Sequence, residues 1–201
     1  MKFHQKKVFW PLAWVICFAL PAFAGDAGVV AQENGLLENT QVAFLLLSGI
    51  IFTVQSFTAE RYARCFLWMA AWFCLSIIVR ELDVEDLAVP QWVVWIGSGI
   101  GRNLIMAAGW GALGVIAIKS YSEWKSSVVR MARSRTAVFM FITGTLLLLG
   151  SLFDHETVMA EQGMFWEEIL ETIGYFLLLP AAIFSGVLSR EQASGTLLPE
   201  A

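Results

Sequence analysis

Four positions in the last third of the chain have types and spacing that can hold charge. Glu168, Glu171, Thr172 and Tyr175 stand at i, i+3, i+4 and i+7 within "WEEILETIGYFLLLP", which puts them on one face of a helix. Two carboxylates, a hydroxyl and a phenol in one stripe can bind a cation or a polar ligand. Glu167 falls off the stripe and is expected to face water. A second set is Ser76, Arg80 and Asp83, again at i, i+4 and i+7, with Glu81 beside them in "RELD". A third is Ser98 and Arg102, with Asn103 adjacent. The motif "FDHE" adds Asp154 and His155.

All of these sit in or beside strongly apolar runs. Lipid rejects a polar stripe, so each should look into a helix bundle. Arg102 lies about ten residues in from Trp92, roughly 10–15 Å deep at 1.5 Å per residue. A guanidinium there costs at least ~2.5 kcal/mol without compensation. By depth Glu171 is its best partner, followed by Glu81 and Glu168. The stripes together predict a polar, partly hydrated cavity open to the outer side.

The elements that must position them are membrane spans. The chain has 201 residues, 58% hydrophobic and 15% charged, with a mean hydropathy of +0.67. A soluble domain of this size cannot hide so much apolar surface. Five apolar segments are predicted as helices, at 41–57, 65–79, 92–118, 136–152 and 169–188. Their runs are continuous, whereas barrel strands would alternate. The fold class is thus an all-α integral membrane protein, a five-span helix bundle. Residues 41–188 form the transmembrane domain. Residues 189–201 form a cytoplasmic tail.

"MKFHQKKVFWPLAWVICFALPAFAGD" has a basic start, an apolar stretch and Ala22-Phe23-Ala24. This is the pattern of a secretory signal peptide over 1–24, with cleavage before Gly25. A short extracytoplasmic tail over 25–40 follows. The alternative is an uncleaved first helix and six spans. Either way the next segment starts outside. The connections at 58–64 and 119–135 and the C-terminal tail then fall inside, and they hold Arg61, Arg64, Lys119, Lys125, Arg130, Arg133, Arg135 and Arg190. The outer connections hold one basic residue, Arg80. The positive-inside rule thus agrees with the leader. The expected location is the bacterial inner membrane, multi-pass, with the mature N-terminus outside and the C-terminus cytoplasmic.

Several classes are excluded. No basic run has the aromatic interleaving of a nucleic-acid surface. Cys65 and Cys74 lie nine residues apart on one helix, roughly 13 Å, too far for a bridge. "GSGIGR" inside a span is no dinucleotide fingerprint, since no strand precedes it. Its glycines suit close helix packing or a local unwinding beside Arg102. Pro180 should kink the last span and free a carbonyl near Phe176. "KSYSEWKSSVVRMARSR" is a basic interfacial connection anchored by Trp124 and suited to anionic headgroups.

Three functions fit these residues. The first is a ligand- or ion-binding membrane subunit or accessory factor of a larger assembly, in the lipid bilayer, with a membrane or periplasmic protein partner. The second is a metal-dependent intramembrane hydrolase, with Asp154 and His155 among its ligands. A carboxylate-rich set would favour a divalent cation such as calcium, magnesium or manganese over zinc. Ser76, Asp154 and His155 resemble, in type, the residues of transmembrane hydrolases of the alkaline ceramidase kind. Those enzymes use several histidines, and the chain after its leader has one, so membership is not assigned. The third is a structural scaffold whose buried ion pairs do no chemistry.

Overall fold

A computed structural model describes residues 36–59, 61–82, 84–86, 88–125, 128–154 and 163–193. The leader, residues 25–35 of the expected tail, Asp83, His155 and residues 194–201 lie outside that set. So does the side chain of Asp154. Among the described residues there is no β-strand.

Five helices are long and apolar enough to cross a membrane. They are α1 (Leu36–Thr58), α2 (Arg61–Glu81), α4 (Gly99–Lys119), α7 (Arg135–Asp154) and α8 (Gly163–Ala193). Between them stand a 3-10 turn (Val84–Asp86) and the short helices α3 (Gln91–Gly97), α5 (Tyr121–Trp124) and α6 (Val128–Ala132). The spans reach beyond the apolar cores read from sequence. The first runs over Leu37–Thr58 and the last over Phe165–Gly186. Crossing a bilayer takes about 20 residues, so polar and aromatic flanks complete each helix.

The expected third span, 92–118, is corrected: it is two helices. Ser98 is extended (φ −133°, ψ 165°), and Gly99 has φ +53°. That left-handed value favours glycine, and only at Ser98–Gly99 does the chain leave helical geometry between Gln91 and Lys119. The break also brings strands of backbone close together. A Cβ on Gly101 would stand 1.9 Å from the Trp95 carbonyl oxygen, and one on Gly97 would stand 2.6 Å from Val84. Close packing and local unwinding therefore occur together. α8, by contrast, runs on through Pro180.

The chain divides into two compact units. One joins Met1–Gln41 with Ile142–Phe176, and the other joins Val42–Phe141 with Leu177–Ala201. In the second unit α2 packs along α4. The Trp72 ring lies so close that a Cβ on Gly109 would stand 2.0 Å from it. Cys74 packs at Gly49, and both Cys65 and Cys74 are buried free thiols. At the start of α7, Arg135 lies over the Phe184 ring, which stacks on Phe139. Trp124 donates its indole N–H to the Ala117 carbonyl at 2.8 Å and meets Tyr121 edge to face. The hydrogen bond ties α5 back onto the end of α4.

Candidate functional site

The first unit builds a polar cluster that joins helices through an acidic stripe. Gln41, in the first turns of α1, is wholly buried. Its Nε2 donates toward Glu168 Oε2 at 2.7 Å, Thr172 Oγ1 at 3.1 Å and the Glu168 carbonyl at 3.3 Å. Glu168 and Thr172 are partly exposed. One turn deeper, Glu171 is 6% exposed and Tyr175 1%. The predicted i, i+3, i+4, i+7 stripe is therefore an inward face of α8.

α7 supplies the other wall. A Cβ on Gly150 would meet Glu171 Cγ at 3.5 Å, so glycine there lets α7 lie directly over the glutamate. Two turns along, Thr143 Oγ1 donates to the Gly174 carbonyl at 3.0 Å. A small residue and a cross-helix hydroxyl are what membrane helices use to approach each other, about 0.6 kcal/mol for such a bond.

One acceptor in this cluster is unmet. Gln41 Oε1 is buried and has no hydrogen-bond donor among the described residues. A buried polar atom left alone costs about 1–3 kcal/mol. Turning the amide over does not help, because Oε1 would then face the Glu168 carboxylate and carbonyl, both acceptors. The nitrogen belongs where it is, and the oxygen is the orphan.

The other expected residues behave differently. Ser76 donates to the Trp72 carbonyl one turn back, at 2.8 Å. Arg80 contacts Glu81 Oε1 through Nε and Nη2, at 3.0 and 2.7 Å, with 57% of its side chain exposed. The hydroxyl is bonded within its own helix, and the arginine lies at the surface with a neighbour on the same helix. Arg102 is partly exposed and Asn103 exposed, both in the second unit. Asp83, His155 and the Asp154 side chain fall outside the described residues, and the metal set named on Asp154 and His155 falls with them. Among the described residues, no three His, Cys, Asp or Glu stand together as metal ligands.

Two features escaped the sequence. Gln41 looks like the polar edge of an apolar run. Gln55, fourteen residues on, lies by Ser185 in the second unit. There the Ser185 hydroxyl stands within hydrogen-bond reach of Gln55 Oε1 and of the Ala182 carbonyl at 2.7 Å. A signal was present: Gln41, Ser48 and Gln55 recur every seven residues, on one face of α1.

The class these elements define is a polytopic helical membrane protein with a carboxylate–amide cluster set among its helices. No family model, curated protein or solved structure matches the chain.

Proposed function

We propose that this chain is a bacterial inner-membrane protein that binds a small polar or cationic ligand, or an ion, in a polar pocket open to the outer side. Its leader is cleaved, its mature N-terminus lies outside and its C-terminus is cytoplasmic. It serves as a membrane subunit or accessory factor of a larger assembly, with an exported or membrane protein as partner. The observation that carries this reading is the Gln41–Glu168–Thr172 cluster with Glu171 buried beside it. Carboxylates this far into an apolar helix are expensive, and function is the commonest reason to keep them. The charge asymmetry of the connections supports the orientation. Glu171 supplies the buried charge of this cluster, and Arg102 is the second charged residue on which the reading is tested.

A scaffold reading has its own support. Thr143 ties α7 to α8, as a purely structural hydroxyl would. The hydrolase reading has less, because the Ser76 hydroxyl is held by its own helix. The test is membrane abundance of Arg102→Leu, Glu171→Leu and the double variant. Loss in both singles with recovery in the double makes the pair structural and removes the centre of the pocket. Normal accumulation of all three leaves both residues for a ligand, to be sought by thermal shift with small polar metabolites.

A further inference from the structure

The orphan oxygen of Gln41 narrows the ligand class, and this inference rests on the pocket proposed above. Oxygen and nitrogen of one amide stand about 2.3 Å apart. Gln41 Nε2 is 2.7 Å from Glu168 Oε2, so Oε1 lies within about 5 Å of that carboxylate oxygen. At the full separation of about 5 Å the amide nitrogen itself lies between the two oxygens, so a bridging cation sits to one side, where two metal–oxygen bonds of about 2.3–2.6 Å meet across a shorter gap. Every donor in reach is a hard oxygen: the amide oxygen of Gln41, the carboxylate of Glu168 and the hydroxyl of Thr172, with the Glu171 carboxylate one turn on.

We infer that this cluster is a binding site for a hard divalent cation of the calcium type, with Gln41 Oε1 as its buried neutral ligand. The amide oxygen and the hydroxyl add neutral donors, and water completes the shell. Calcium accepts such an irregular mixture of carboxylate, amide carbonyl and water, whereas magnesium demands near-octahedral geometry and keeps most of its own water. Zinc and its neighbours want nitrogen or sulfur, which the cluster does not offer. Glu168 and Thr172, both partly exposed, give the ion its way in. The plainer occupant of the space beside Oε1 is one buried water.

Binding of radiolabelled calcium to the full-length protein in nanodiscs decides between them. CaCl2 should half-saturate the site at roughly 0.1–1 mM, the range of extracytoplasmic modules. Gln41→Leu should weaken binding at least about tenfold. Gln41→Glu keeps an oxygen in the same place and adds charge, so it should bind as tightly or more tightly. That gain cannot arise from misfolding. No calcium binding by the folded protein overturns the inference, as does equal binding by Gln41→Leu. Displacement of the label by an equal concentration of NaCl overturns the divalent assignment. Thermal-shift screening with polar metabolites separates the two proposals. If a metabolite stabilises the wild type but not Glu171→Gln, while CaCl2 does neither, the pocket stands and the cation site falls. If neither ligand acts, both fall.

Discussion

The polar stripe of α8 and the polar stripe of α2 are alike in sequence and opposite in structure. Both follow helical spacing near the end of an apolar run. In α8 the stripe is half-buried at Glu168 and Thr172, buried at Glu171 and Tyr175, and reaches Gln41 of α1. In α2 the serine bonds to its own backbone, and Arg80 contacts the residue next to it. The difference lies in the side chains. A serine hydroxyl can reach the carbonyl one turn back, so it needs no other helix. An arginine at a helix end can extend toward water. A glutamine or glutamate deeper in the helix has neither route and must find a partner across an interface. The second unit accordingly gains its α2–α4 contact from shape, with a tryptophan ring over a glycine. The first gains its contacts from hydrogen bonds.

If that contrast is right, the largest effect comes from cutting the polar hub. Gln41→Ala should destabilise the protein by about 2–4 kcal/mol, because it opens a cavity and removes the donor that Glu168 and Thr172 share. Reversible unfolding in mixed micelles measures this, and a change below about 1 kcal/mol would remove the hub's special status. Gly109→Ala attacks the other region by overpacking and should cost about 1–3 kcal/mol. The same substitution in a Trp72→Ala background should cost far less, since the clashing ring is gone. If the two costs simply add, the contact between α2 and α4 is not steric.

Smaller effects sharpen the comparison. Thr143→Val keeps the shape and loses the bond to Gly174, so unfolding should shift by about 0.6 kcal/mol and by no more than about 1.7. Ser76→Ala should lie within about 0.5 kcal/mol of wild type, because its bond is local. Arg80→Ala should cost less than about 1 kcal/mol, as expected of an ion pair with one exposed partner. An Arg80 or Ser76 effect as large as that of Gln41 would erase the distinction between the two stripes.

The sequence by itself determined the class and the elements. Apolar length is a local quantity, and it located five helices long and apolar enough to cross a membrane, four of them to within about four residues, while it started the third seven residues early. Helical spacing correctly put Glu171, Thr172 and Tyr175 on one face of α8, because side-chain direction follows from the backbone repeat alone. The same rule could not tell an inward stripe from an outward one, and so it treated α2 like α8. Tertiary structure decided which polar groups met a partner. It chose Gln41, which belongs to none of the polar stripes, as the group that joins Glu168 to Thr172. It also broke the third span at Ser98–Gly99, where Gly99 takes φ +53° and the Trp95 carbonyl closes on Gly101. Neither outcome is written in a local pattern, because each depends on what stands across a gap that only packing closes.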